Sequence, residues 1–412
     1  MALDDLLEPF STRGIDLDLG RLEAALAEAG HPERRFAAVQ VAGTNGKGSI
    51  CTLLHAILRA AGLRVGTYRS PHLVSWCERI QLNDRWITPQ QLRDDVQRWR
   101  SLAHRHGLTP FELLTAAAFG RFANESLDLV VLEVGLGGRL DATTAHPDRR
   151  VVGFASIGMD HREHLGDSLA AIAAEKAGVL RPAQQAFSAA QAPEAAAVLT
   201  EMAQRQGAVL HWLDPLPDPA AGGPVLGLPG DFQRRNGAVA VAMARALDAL
   251  GWPISEAAIR QGLARARWPG RLQEFQWRGR VILLDGAHNP PAAVNLRQEL
   301  TARDGRSPRR WLLGIQRHKE AGPMLRALLL PGDQALITPI PDHASWDLIS
   351  LASACPECAD QLQAVADPAE GLERLLHDSP RSSTAAPQPL PVVAGSLYLL
   401  GDLLSRCAAD QG

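Results

Sequence analysis

One stretch constrains this chain more than any other: Val41-Ala42-Gly43-Thr44-Asn45-Gly46-Lys47-Gly48-Ser49. An apolar run from Phe36 to Val41 precedes it and reads as a buried strand. A helical pattern from about Ser49 to Ala61 follows it. Glycines let backbone N–H groups curl around an anion. The helix start adds a positive end. Lys47 can reach terminal phosphates, and Ser49 can bind phosphate or Mg²⁺. The spacing is not that of the common P-loop. That pattern places a glycine five residues ahead of the Gly-Lys pair, where Val41 stands, and Gly48 separates Lys47 from Ser49. The stretch indicates phosphate binding and leaves the reaction open.

Further apolar runs, Leu129 to Val134 and Val151 to Ile157, are continuous rather than alternating. Such runs suit parallel strands covered on both faces. With Ala/Leu-rich helical stretches between them, the order is β-α-β-α, which predicts an α/β doubly wound sheet. A length of 412 residues allows two or three domains. Residues 213–230 are rich in Pro and Gly and read as an irregular excursion containing a hairpin, ahead of a helix from about Arg234 to Leu250. Helical sequence stops at Trp268-Pro269-Gly270-Arg271, which predicts domains over 1–271 and 272–412. The second repeats the α/β pattern. Its expected strands are Val281 to Leu284, Trp311 to Leu313, Gln334 to Thr338 and Pro391 to Ala394, with a helix over Pro291 to Leu300 and another closing the chain. Residues 379–391 read as a mobile surface loop.

Composition removes several classes of function. Net charge is −3, without the basic excess of a nucleic-acid binder. No run of about 18 apolar residues predicts a membrane span. The N-terminus is acidic and does not read as a signal peptide. Five scattered cysteines suit a reducing cytoplasm. Cys355 and Cys358 form a lone Cys-x-x-Cys. A structural zinc needs four ligands, so the pair reads as a loop with two thiols.

Glu133 lies at the end of the run Leu129 to Val134, which is followed by Gly135-Leu136-Gly137-Gly138-Arg139-Leu140-Asp141. Ligands of open α/β sheets sit beyond the carboxyl ends of strands. An acid there, facing a phosphate loop, is a natural Mg²⁺ ligand, although acids after strands are as often plain loop residues. Asp160-His161 follows the next strand, and its placement one strand-loop after Glu133 makes it a candidate for the same metal site. Lys176, in Ala174-Glu175-Lys176-Ala177-Gly178, reads locally as a solvated helix position.

The segments AGTNGKGS, SPHLVSWCERI, LTPFELLTAAAF, VLEVGLGGRLDAT, MDHREHLG, EKAGVLRP, QRRN, WPGRLQ, DGAHNP, HKE and AGSLYLLG occur in that order between Gly43 and Gly401. Together they resemble the bacterial folylpolyglutamate synthase/dihydrofolate synthase family, within the Mur-type ligases. The resemblance implies a Mur-ligase-like α/β fold, with a P-loop-type doubly wound sheet domain and a smaller C-terminal Rossmann-like domain. It implies an ATP- and Mg²⁺-dependent ligase. That enzyme would add L-glutamate to dihydropteroate and to reduced folyl-(poly)glutamates through an acyl phosphate. It would be cytoplasmic and monomeric, with small-molecule substrates and neither nucleic acid nor membrane as partner.

By the same resemblance, the loop Gly43, Thr44, Asn45, Gly46, Lys47, Gly48 and Ser49 would hold the phosphates of ATP. Asn236 would contact the base. Arg271 would reach the phosphates, and Asp285 and His288 would face the nucleotide. Ser70, Glu133 and His161 would serve Mg²⁺. Lys176 matches a lysine often carbamylated in this superfamily. Thr109, Phe111, Glu112 and Asp141 fall in segments that hold the pterin, and Lys319 lies on the glutamate side. The sequence departs from the family pattern at Cys77, Thr144, Phe232 and Asp342-His343. A Mur-type ligase acting on a peptidoglycan precursor would share the loop and the lysine, but not SPHL and LTPFE. A P-loop phosphotransferase or ATPase would leave DGAHNP unexplained.

Overall fold

The computed structural model describes residues 4–8, 10, 14–377 and 389–410. Most of the expected loop over 379–391 lies outside them. The described chain forms two compact units, one running to Leu228 and including Phe232–Arg267, the other comprising Pro229–Asp231 and the residues from Trp268 onward.

The first unit is built on an eight-stranded sheet. Its strands are β1 (Ala38–Ala42), β2 (Val65–Tyr68), β3 (Ile80–Leu82), β4 (Arg85–Trp86), β5 (Leu129–Glu133), β6 (Arg149–Phe154), β7 (Gln185–Ala189) and β8 (Val209–Leu213). The order is β4-β3-β2-β5-β1-β6-β7-β8. The six strands from β2 to β8 in that order are parallel, and β3 and β4 add antiparallel at one edge. Every residue of β1 and β5 is buried, as their largely apolar sequences suggest, with Gln40 and Glu133 the polar exceptions. Because β1 lies between β5 and β6, the chain leaves β1 to one side and leaves β5 to the other. That reversal is where ligands enter open α/β sheets. It gathers the loops after β1, β5 and β6 at one sheet edge.

The helix Lys47–Ala60 follows β1. Ile50, Leu53, Leu54, Ile57 and Leu58 recur at helical spacing and are all buried. It packs against the helix Glu256–Arg265, where Gly262 faces the backbone of Ile57 with no room for a Cβ atom. Residues 214–230 hold one short turn of 3₁₀ helix, Pro219–Ala221, and no hairpin strand. The expected hairpin is therefore absent. Two prolines in that stretch precede the turn and cannot donate to a ladder.

The second unit has a six-stranded sheet in the order β13-β12-β11-β14-β10-β9. Its strands are β9 (Gln273–Trp277), β10 (Arg280–Leu284), β11 (Arg310–Leu313), β12 (Gln334–Ile337), β13 (Leu362–Ala364) and β14 (Val392–Ala394). All pairings are parallel except that of β9 with β10. Arg278 and Gly279 join these two with φ of 45° and 76°, the positive pair of a type I′ turn. The helices Pro290–Asp304 and Leu397–Asp410 follow β10 and β14. Among the described residues no helix is long and apolar enough to cross a membrane.

Gly262→Val should force the two packed helices apart and lower stability by about 1–3 kcal/mol. Chemical denaturation would measure the loss. Because the displaced helix begins at Lys47, nucleotide affinity should fall as well.

Candidate active site

The loop after β1 turns through Gly43 and Gly46, whose φ values are +137° and +101°. Side chains are excluded there by space as well as by φ. A Cβ on Gly43 would lie 2.7 Å from Ala155 Cβ, and one on Gly46 would lie 2.6 Å from Asn236 Oδ1. The loop is thus clamped between the loop after β6 and the helix Gln233–Ala249. Thr44 and Asn45 donate their backbone N–H groups to Ser156 O at 2.8 and 3.1 Å. Those two amides are committed to shaping the loop. The amides opening the helix Lys47–Ala60 remain for an anion, and among the described residues no side chain caps that end. Lys47 Nζ donates to Gly43 O and Thr44 O, both at 3.1 Å, and so lies folded over the loop.

Ser49 is buried and accepts from Gln233 Nε2 at 3.2 Å, and Asn236 Nδ2 donates to Gln233 Oε1 at 2.8 Å. Gln233 and Asn236 lie one helical turn apart on one face. The structure therefore brings Asn236 to the loop, as expected, and adds Gln233 as the link to Ser49. Nothing in the local sequence marks Gln233 except its place three residues before Asn236.

Glu133 is buried at the end of β5, in register with Val41 of β1. Ser70 follows β2, the next strand outward. Its Oγ is buried and has no hydrogen-bond partner among the described residues. An oxygen pair of carboxylate and hydroxyl is the donor set a hard cation such as Mg²⁺ accepts, and the orphaned hydroxyl fits that use. Among the described residues no three His, Cys, Asp or Glu side chains form a metal cluster. A site completed by phosphate and water oxygens does not need one. His161 begins the short helix Arg162–Leu165 with φ +52°, and its half-buried ring lies 3.9 Å from Asp160 and 3.8 Å from Glu163.

Lys176 is buried rather than solvated, which overturns its local reading. Burial pulls its ammonium down to about 7, and the nearby charge of Lys47 acts the same way against Asp160, Asp141 and Glu175. A substantial share of the amine is therefore neutral near pH 7.

The residues expected on the pterin side divide into those that shape the backbone and one that offers a surface. Thr109 and Glu112 form a capping box at the start of the helix Pro110–Asn124, with Thr109 N donating to Glu112 Oε2 at 2.7 Å. Arg21 Nη2 also donates to Glu112 at 3.2 Å. Asp141 accepts from the amides of Gly135, Leu136 and Thr143, each at 2.9 Å, and from Thr143 Oγ1 at 2.5 Å. Burial pushes the Asp141 carboxyl up, and these hydrogen bonds oppose the shift. Its two oxygens are spent on holding the glycine loop. Phe111 is half-buried and lies against Gly135, with its ring centroid 6.0 Å from that of Tyr68.

In the second unit, Asp285 at the end of β10 accepts from Leu272 N and Ala287 N, both at 2.9 Å. Burial pushes its carboxyl up, and the charge of Arg271 opposes this. His288 Nδ1 lies 2.7 Å from Gly286 O. A Cβ on Gly286 would lie 2.5 Å from Arg271 Nη1, so Arg271, Asp285 and His288 form one cluster. The loops after β10, β14 and β11 meet there, since Gly395 N donates to Ala287 O at 2.9 Å and Gly395 packs on Gly314 O. Lys319 is buried in the loop after β11, and its carbonyl accepts from Trp346 Nε1 at 3.1 Å.

Comparison with known proteins agrees with this layout. Residues 41–211 match the family model of the Mur ligase middle domain, and residues 271–406 match that of the dihydrofolate synthetase C-terminal domain. The dihydrofolate synthetase of Saccharomyces cerevisiae is 32% identical, over 95% of this chain and 97% of its own. The dihydrofolate synthase/folylpolyglutamate synthase of Escherichia coli is 38% identical, over 72% of this chain and 71% of its own. Among solved structures, E. coli FolC in complex with DHPP and ADP has a TM-score of 0.85 at 30% identity, covering 100% of this chain and 99% of its own. The bifunctional synthase of Yersinia pestis, complexed with AMPPNP and Mn ion, has a TM-score of 0.86 at 30% identity, covering 99% and 98%. This chain belongs to the dihydrofolate synthase/folylpolyglutamate synthase family of Mur-type ligases.

Gly46→Ala should leave the fold intact and weaken ADP binding at least about tenfold, because the new methyl group displaces Asn236 and strains a positive φ. Calorimetric titration with ADP is the check.

Proposed function

We propose that this chain is an ATP- and Mg²⁺-dependent ligase that joins L-glutamate to dihydropteroate and to reduced folyl-(poly)glutamates. The observation that carries the reading is the uncapped start of the helix Lys47–Ala60 at the sheet reversal, with Lys47 folded over it, in a chain of this family.

A carboxylate is a poor electrophile and must be activated. One of its oxygens attacks the γ-phosphorus of ATP, the bond to the β-phosphate oxygen breaks, and ADP leaves behind an acyl phosphate. The glutamate amine then attacks the acyl carbon, inorganic phosphate departs, and the amine proton passes to solvent. The amides opening the helix and the Lys47 ammonium stabilise charge on the transferring phosphoryl group. Ser49, oriented by Gln233, and Asn236 complete the nucleotide side. Ser70, Glu133 and His161 would hold Mg²⁺, which would supply charge neutralisation at the phosphates. Arg271, Asp285 and His288 act on the nucleotide, and Lys319 on glutamate. Phe111 offers its ring to the pterin, while Thr109, Glu112 and Asp141 fix the loops around it.

Residues 1–271 serve as the ATP-binding domain with the folate loops, and 272–412 as the glutamate-ligase domain. The enzyme acts as a monomer in the cytoplasm.

ADP release with ATP, Mg²⁺ and glutamate should occur with dihydropteroate and with a reduced folyl monoglutamate. Turnover with dihydropteroate alone would reduce the enzyme to a dihydrofolate synthase, the single activity named for the yeast relative. ATP hydrolysis indifferent to glutamate would overturn the ligase reading.

Lys176 carries a carbamate in the active enzyme. Its neutral amine adds CO₂ and releases one proton, so carbamate should increase as pH rises through about 7. Carbon-13 NMR with labelled CO₂ would detect it. Lys176→Ala should lose about two orders of magnitude in turnover and recover part of it with a short carboxylic acid. Full activity of that variant without added acid would discard the carbamate.

A further inference from the structure

Arg69 adjoins Ser70 in the chain and stands level with Glu133 at the end of the neighbouring strand, and neither the family motifs nor the mechanism above uses it. It follows β2 directly and precedes Ser70. Tyr68 pairs with Leu132 in the parallel register of β2 and β5, so Arg69 and Glu133 are the next residues at the ends of adjacent strands. Arg69 is almost fully buried. Its backbone N–H donates to Arg79 O at 2.9 Å. Its Nη1 donates to Gln81 Oε1 at 2.5 Å.

Gln81 belongs to a neutral chain of hydrogen bonds behind the guanidinium. Its Nε2 lies 2.8 Å from Asn83 O and 3.0 Å from His55 Nε2, and His55 Nδ1 lies 2.7 Å from Thr67 Oγ1. Since the amide donates to Nε2, the proton of His55 sits on Nδ1 and goes to Thr67. Burial, with the charge of Arg69 adding to it, pulls His55 down to about 3, so the ring is neutral. Through Nη1 the guanidinium therefore meets a neutral amide, which a neutral ring backs in turn.

Among the groups that bear a negative charge when ionised, Cys51, Glu133 and Glu78 act on Arg69. Burial pushes the Cys51 thiol well up, so it is neutral. Glu78 accepts from the amides of Leu73, Val74 and Ser75 at 2.8, 2.7 and 2.6 Å, which ties it to the loop after Ser70. Glu133, at the end of the adjacent strand, is the carboxylate of the proposed metal site whose charge bears on Arg69. A cation fixed by the protein and a cation arriving with the nucleotide then share one carboxylate.

We infer that Arg69 is a positioning residue: a built-in counter-cation that holds Glu133 before metal arrives and sets how much Mg²⁺ the enzyme requires. The inference rests on the reading of Glu133 as a metal ligand. Arginine suits the role because it keeps its charge when buried, and its planar fork is held by Gln81.

The test measures Mn²⁺ binding by electron paramagnetic resonance in the presence of a non-hydrolysable ATP analogue, alongside Mg²⁺ half-saturation of ADP release. Arg69→Gln should bind Mn²⁺ about tenfold more tightly, because the repulsion between unit charges at short range is removed. Arg69→Lys should stay within about twofold of the parent. Gln81→Glu leaves Arg69 in place and gives it a second carboxylate, so it should tighten Mn²⁺ in the same direction. This variant keeps the test open if Arg69→Gln does not fold. Unchanged or weaker Mn²⁺ binding in the folded variants overturns the inference. Glu133→Gln separates the two readings. If it weakens Mn²⁺ while Arg69→Gln changes nothing, only the role of Arg69 falls. If it leaves Mn²⁺ binding intact, the metal role of Glu133 falls, and the inference with it.

Discussion

The backbone of residues 43–46 runs so close to Ala155 and Asn236 that only glycine fits at either turn. The rest of the first site depends on that approach. It lets Ser156 O collect the amides of Thr44 and Asn45 and so fixes the loop to β6. It also aims the start of the next helix at the edge where strand order reverses. An anion held there meets amides whose direction is set before it arrives, so little of its binding energy is lost to ordering the loop. Asn236 and Gln233 extend the arrangement into a second layer that orients Ser49.

Buried acids around this loop fall into two kinds. Asp141, Glu112 and Glu78 each accept from backbone amides, and each thereby fixes one loop or helix start near the substrate side. Buried carboxylates are costly unless hydrogen bonds compensate them, and here the compensation is also what shapes the site. Replacing any of them would alter substrate binding without removing a direct contact. Glu133 is of the other kind. It stands at a strand end, level with Arg69 of the adjacent strand, and its proposed part is in the metal site rather than in shaping a loop.

The α/β sheet was legible because β1, β5 and β6 carry largely continuous apolar runs, and because a glycine-lysine loop follows the first of them. The strands missed by sequence reasoning have physical reasons for being hidden. β9 reads Gln273-Glu274-Phe275-Gln276-Trp277, an edge strand with mostly polar, partly exposed residues. β8 is exposed along most of its length. Site residues divide in the same way. Lys47 and Asn236 lie in recognisable segments and come together in space. Gln233 and Arg69 act through partners far away in sequence, which no local pattern encodes. Thr109, Glu112 and Asp141 were legible as positions, but their use as clamps depends on amides that only the fold brings to them.

Burial pulls down both Lys176 and Arg69, but the lysine alone comes down to about 7. Lysine yields its proton when desolvated beside another cation, and Lys176 does so next to Lys47. A neutral amine is then free to become an anion by taking up CO₂. Arginine has no such route at any ordinary pH, because its charge is delocalised and its proton is held. One position can therefore change the sign of its charge, while the other contributes a constant positive field. A metal ion bound near both would gain attraction from the first only after modification, against a fixed repulsion from the second. On the proposed carbamate and metal site, the balance would make metal affinity depend on a reversible chemical state as well as on ligand geometry.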